Sequence, residues 1–459
     1  MATTERTTPG GVKPRFLSRK QTPQTERVRL VRPQAPFQQE VDLSPEISDI
    51  SRSMINTYCR FDATEKLQGG LVVDAYSVGP EDLALIMPIP IEEALDNLRR
   101  DVKRIDKIGL DNLPPEWSLI RSNAQATVTY KEEEERIARG EPKTDYKEYL
   151  PKVSGFDPRL ISTKALDEGR ERIIEGLQSK RLKFDPSKPQ SVRAAFFAYQ
   201  RYARRYYYAQ EVAYRFAQYD DQYRSKLGAV LEEDLSDVNY KIVWDQADAF
   251  WMMWERPGIV DNILYANWHE KRHQKNWDEG KIQMFAFHEP PHFIYAYLIR
   301  REILKGNLDP ATGILPIPSL GSYQYEGIAQ TIPNFAPIEL DSDGILATDV
   351  YRLEKRAINN GLYILETDSR LTVGEVAREL RPYMLLKNQS EIMTLLQEGI
   401  SQPFERAYLP VYGLSDYFFM DFAKKANQIQ RNEFLKLVFK KPMTPFQLQV
   451  AADEVLKVA

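Results

Sequence analysis

Cysteine is nearly absent from this chain: of 459 residues, only Cys59 carries a thiol. One thiol excludes an intrachain disulfide and any zinc site built on cysteine pairs, and it fits a reducing compartment. Histidine is almost as scarce, with four residues. No apolar run approaches the roughly 18 residues that a membrane helix needs. The start, Met1-Ala2-Thr3-Thr4-Glu5, lacks the apolar stretch of a secretory signal. An excess of one charge is missing too. Lys and Arg total 62 against 66 Asp and Glu, a net charge of -4, so nothing draws the whole chain to nucleic acid or acidic membrane. The chain therefore reads as soluble, intracellular or virion-borne, with no membrane partner.

Nucleotide and nucleophile motifs are lacking as well. There is no G-x-x-x-x-G-K-[ST], no G-x-G-x-x-G between a strand and a helix, and no G-x-S-x-G elbow. Asp341-Ser342-Asp343-Gly344 begins like a calcium loop, but the glycine at the sixth position and the closing glutamate are missing.

What is present is enough apolar material, 42% of the chain, for two or three domains. Residues 1–45 form an extended basic arm. Arg6, Lys13, Arg15, Arg19, Lys20, Arg27, Arg29 and Arg32 outnumber its acids, and six prolines interrupt any helix. A helical region over 46–150, a central helical domain over 151–305, a long Pro/Gly-rich loop over 306–345 and a helical C-terminal region over 346–459 follow. Ile91, Leu95, Leu98, Val102 and Ile105 fall at helical spacing over 91–108. One long helix is expected from Ser191 to Tyr219, and another over Asp237–Trp254. The charged run Lys131–Arg136 reads as a solvated face or linker. The C-terminal part reads as a helix at Ala347–Asn359, a short strand at Leu362–Glu366, and helices at 373–380, 391–397, 416–439 and 445–458. The fold class is mainly α, with few short strands.

All four histidines fall in one window, as two copies of H-E-x-x-H. The first is His269-Glu270-Lys271-Arg272-His273 and the second is His288-Glu289-Pro290-Pro291-His292. On a helix this spacing puts two imidazoles on one face with a glutamate between them as general base, the pattern of zinc hydrolases. In the first copy Lys271 and Arg272 oppose a dication. In the second, Pro290 and Pro291 predict a rigid turn leading into a helix from Phe293. The pairing of Glu270-x-x-His273 with Glu289-x-x-His292 as a di-iron site fails for want of two long helices and two bridging carboxylates. With no metal or other cofactor assigned, the clustered imidazoles predict a pH-sensitive contact between subunits.

A second constellation interleaves Arg193, Arg201, Arg204, Arg205 and Arg215 with Tyr206, Tyr207 and other aromatics. It suits a protein core, a protein interface, or nucleic acid. The favoured expectation is a non-enzymatic assembly subunit of a coat or nucleocapsid-like homo-oligomer. Its arm residues Arg15, Arg19, Lys20, Arg27, Arg29 and Arg32 tether neighbours, with Arg201, Arg204, Arg205, Tyr206 and Tyr207 as further contacts. One alternative is a metal-dependent hydrolase built on His269, Glu270 and His273, with Glu289 or Glu302 as third ligand. The other is RNA or DNA binding through the arm and the Arg/Tyr helix.

Overall fold

Several helices start on a short polar side chain, whereas Ser191, a possible cap in the sequence, lies inside a helix that begins at Pro189. Asp145, Ser162, Asp278, Asp341, Thr372, Asn388 and Asn427 each accept a first-turn backbone N–H through a side-chain oxygen. Thr372, Asn388 and Asn427 complete capping boxes with Glu375, Glu391 and Gln430. A computed structural model describes residues 45–68, 72–75, 86–245, 252–255, 262–267 and 277–457. Among them are fifteen α-helices and five short strands, so the protein is mainly α. No helix among the described residues is long and apolar enough to cross a membrane.

The N-terminal layer is α1 (Pro45–Gln68), α2 (Ile91–Ile108), α3 (Trp117–Ala138) and α4 (Tyr146–Ser154). The expected stripe on α2 is real: Leu95, Leu98, Val102 and Ile105 are buried in one cluster with Met54, Phe61 and Trp117. The charged run at 131–136 is a helix face as expected, with Glu132, Glu135 and Arg136 exposed, but Lys131 and Glu133 are buried. It is the last part of α3, and Lys131 is buried with its ammonium 2.9 Å from Glu65. Periodicity cannot distinguish a solvated charge from one that meets its partner on another helix.

Helices α5 (Thr163–Ser179), α6 (Pro189–Tyr202) and α7 (Ala209–Leu231) follow. The single helix expected from Ser191 to Tyr219 is broken between α6 and α7. There Tyr206 N donates to Trp277 O and Glu279 N to Arg204 O, so the 203–208 backbone pairs across the fold instead of along a helix. The helix expected over 237–254 is also corrected. Strands β2 (Tyr240–Asp245) and β3 (Met252–Glu255) flank β4 (Asn262–Asn267), parallel and antiparallel respectively. Tyr240, Ile242, Val243 and Trp244 are residues that suit a pleated surface.

Helix α8 (Glu279–Leu304) runs through the core and contains both Pro290 and Pro291. The expected turn is therefore corrected. Each proline removes a backbone donor, at a cost of about 3 kcal/mol or more. Burial around nearly the whole circumference of α8, from Ile282 to Ile303, offsets it.

The segment 306–345 is not one loop. It holds β5 (Ile314–Ile317), antiparallel to β1 (Val72–Ala75) with Val73 opposite Pro316, and α9 (Gly321–Thr331), whose residues are all buried. Then come α10 (Ser342–Thr367), α11 (Val373–Leu380), α12 (Gln389–Ser401), α13 (Pro403–Lys425), α14 (Gln428–Lys440) and α15 (Pro445–Lys457). The strand expected at 362–366 is the end of α10. The helix expected over 416–439 is two, because Asn427 caps a new start. Helices α8, α9, α10 and α13 pack on one another. The approach of α9 to α13 needs Gly327, where a Cβ would sit 2.5 Å from the Phe419 ring.

Candidate metal centre

One helical turn on α8 separates His288 from His292, and the rings meet edge to face at 5.0 Å. The prolines between them point the histidines nowhere else, since the helix continues. Glu326, on α9, closes the group. Its Oε2 lies 3.7 Å from His288 Nε2 and 3.8 Å from His292 Nε2. One donor atom from each of the three side chains falls within 4.8 Å of the other two. Tetrahedral zinc with bonds near 2.1 Å places its ligand atoms about 3.4 Å apart. A small side-chain rotation closes that gap.

The surroundings keep the imidazoles neutral, while Lys355 and Arg352 oppose positive charge at His288. Burial, with Lys355 and Arg352 adding to it, holds His288 down at about 3. Burial and the neighbouring His288 hold His292 well below the ordinary imidazole range. Both rings are thus neutral at physiological pH, the form that ligates metal. For His288 and His292 the expected pH-sensitive subunit contact is corrected, because both rings lie inside the fold and burial holds them below the neutral range; His269 and His273 lie outside the described residues. Burial pushes the Glu326 carboxyl up to about 7, against the pull of Tyr408, Lys355 and Tyr412. Its Oε1 accepts a hydrogen bond from Tyr408 at 2.5 Å. Its Oε2 is buried and has no hydrogen-bond donor among the described residues. A buried carboxylate oxygen without a hydrogen-bond donor, facing two neutral imidazole nitrogens, is a set of potential ligand atoms on one spot. The residues therefore fit a divalent cation.

The walls are aromatic. Tyr325 stacks on His292 at 4.0 Å, and Tyr351 lies 6.0 Å from His288. Glu289, also buried, acts electrostatically on Tyr351 and Tyr412, which act likewise with Glu326. Glu289 and Glu326 thus share one small region.

The other sequence candidates lie elsewhere. His269, Glu270 and His273 fall outside the described residues, as do Arg15, Arg19, Lys20, Arg27, Arg29 and Arg32. Glu302 is engaged by Lys305 and Asn307, each at 2.7 Å, beyond the turn that holds the histidines. Tyr206 is buried and donates to Glu279, which also accepts from Arg215 at 2.6 Å and from Tyr219. That hub ties α7 to α8 at its N-terminus. Arg205 donates to Gln200 O, while Arg201, Arg204 and Tyr207 are exposed. Glu326 is the residue that sequence reasoning missed. It falls in the loop expected over 306–345, although Tyr325, Ile328, Ala329 and Ile332 around it have helical spacing.

No family model matches the chain, and no curated protein does. Solved structures do. A protein of Colwellia psychrerythraea described as a lipoprotein matches with a TM-score of 0.48 and 12% identity, over 80% of this chain and 67% of its own. Trypanosoma cruzi metallocarboxypeptidase 1 matches with a TM-score of 0.42 and 11% identity, over 89% and 94%. Pyrococcus furiosus carboxypeptidase matches with a TM-score of 0.39 and 13% identity, over 91% and 96%. These likenesses concern the fold alone. The expected non-enzymatic coat subunit is corrected at this point. Among its premises were a long loop over 306–345 and the lack of catalytic motifs; that segment instead carries α9, which brings Glu326 to His288 and His292 as a group able to hold a metal ion.

Proposed function

We propose that this chain is a metal-dependent hydrolase centred on His288, His292 and Glu326, acting on a carbonyl substrate of the ester or amide class. The observation that carries the reading is the convergence of two neutral histidines, one turn apart on α8, with a buried carboxylate oxygen of α9 that has no donor among the described residues. The second H-E-x-x-H copy supplies the ligands, in place of the first. A zinc-class dication at such a set supplies Lewis acidity and makes water acidic enough to lose a proton near neutral pH. Three protein ligands leave a position for substrate or water. Glu289, between the ligands in sequence, is the general base: its carboxylate takes the proton from the attacking water and returns it to the leaving group.

The test is a comparison of zinc-loaded wild type with Glu289→Gln on a panel of ester and amide substrates. The variant should keep its zinc and lose roughly 10²–10⁴-fold in turnover, and chelation should silence the wild type. Turnover that survives chelation, or a Glu289→Gln variant as fast as wild type, would sink the proposal.

A further inference from the structure

The two oxygens of Glu326 have unlike surroundings. Oε1 accepts the Tyr408 phenol at 2.5 Å. Oε2 faces His288 and His292 at 3.7 and 3.8 Å and has no donor among the described residues. We propose that Tyr408 is a positioning residue that makes Glu326 a one-oxygen metal ligand. The inference rests on the hydrolase reading only in requiring that metal binds at this set.

A carboxylate can hold a cation through one oxygen or both. A phenol bond to a carboxylate belongs to the strong, short class. The bonded oxygen is drawn toward α13 and becomes a poorer donor, while the other stays free for the cation. The phenol is itself fixed. Arg406, two residues before it, anchors α13 through Glu133 at 2.7 Å and Glu366 at 3.0 Å. Tyr412, one turn on, packs against it with ring centres 5.1 Å apart. Lys355 then sits 4.1 Å over the Tyr412 ring. Single-oxygen ligation keeps the protein's share to three donor atoms and leaves coordination positions for water and substrate. A two-oxygen Glu326 would fill one of those positions.

The experiment compares wild type, Tyr408→Phe and Tyr383→Phe. The Tyr383 phenol donates to Asp167 at 2.9 Å, a carboxylate outside the metal group. Zinc affinity is measured by competition with a chelator, and coordination number by the visible spectrum of the cobalt(II) form. Tyr408→Phe should bind zinc roughly 10–100-fold more weakly and show the fainter cobalt bands of a higher coordination number. Tyr383→Phe should do neither. A crystal structure of zinc-loaded wild type gives a second reading that needs no variant, with one Glu326 oxygen on zinc and the other on Tyr408. Two Glu326 oxygens on zinc in wild type, or a Tyr408→Phe variant with wild-type affinity and spectrum, would overturn the proposal. A wild type that binds no metal would defeat the hydrolase reading instead, and this inference with it.

Discussion

Replacing Arg406 by methionine should cost more stability than almost any other single change in this protein. The guanidinium is 1% exposed. It donates to Glu133 Oε1 at 2.7 Å, to both oxygens of Glu366 at 3.1 and 3.0 Å, and to Thr144 O at 2.7 Å. The Tyr149 ring lies 4.7 Å from it. Four helices or their flanks, α3, α4, α10 and α13, meet at this cation. Methionine would leave Glu133 and Glu366 buried beside one another without it. Breaking a buried pair from one side costs about 3–5 kcal/mol. Glu133 keeps the Thr144 N–H and hydroxyl, and Glu366 keeps Lys143 at 2.8 Å, so the lower half of that range, about 3–4 kcal/mol, is expected. Urea unfolding followed by circular dichroism measures it. Adding Glu133→Gln and Glu366→Gln to Arg406→Met should restore more than half of the loss, since removing the whole charged network is nearly neutral. A loss under about 1 kcal/mol for Arg406→Met, or no recovery in the triple variant, would refute the reasoning. The loosened start of α13 should also carry Tyr408 away from Glu326, so the single variant should bind zinc more weakly than wild type.

Three further outcomes follow from other parts of the fold. Gly327→Ala should destabilise by about 1–3 kcal/mol through overpacking against Phe419; a melting temperature equal to wild type would contradict the close approach of α9 and α13. Asp309, on which Ser51 and Ala311 N converge at 2.6 and 2.7 Å, is pushed up to about 6 by burial. The native state then holds the proton more tightly than the unfolded chain, so this group's contribution declines as pH rises from about 4 through 6, by roughly 3 kcal/mol. Asp309→Asn should therefore gain on wild type over that window, and a pH-independent difference between the two would be the wrong result. Thr372→Ala should cost about 1 kcal/mol at the start of α11 by removing its capping box, and unchanged amide exchange in that helix would contradict it.

Local signals were legible in the sequence, and long-range ones were not. The α2 stripe and the start of α11 needed only neighbours within a turn, and both lie where periodicity and capping place them. Pro290 and Pro291 were misread because their penalty is local, whereas its compensation is the packing of four helices around α8. The strands at 240–255 carry a helical pattern in the sequence, since Val243, Trp244 and the residues near them suit either state until a partner strand is known. At the candidate centre, both histidines and Glu289 stood in view as a motif. Glu326 did not, because nothing near it in the sequence announces that α9 will pack its carboxylate against α8. Arg406, Tyr408 and Tyr412 were equally silent, being ordinary residues until α13 lies across that pair.

The most direct test is the zinc content of the purified protein after saturation and gel filtration, for wild type, His292→Ala and His273→Ala. Wild type should carry about one equivalent, His292→Ala less than about a tenth, and His273→Ala the wild-type amount. A metal-free wild type, or zinc lost from His273→Ala and kept by His292→Ala, would contradict a centre built on α8 and α9.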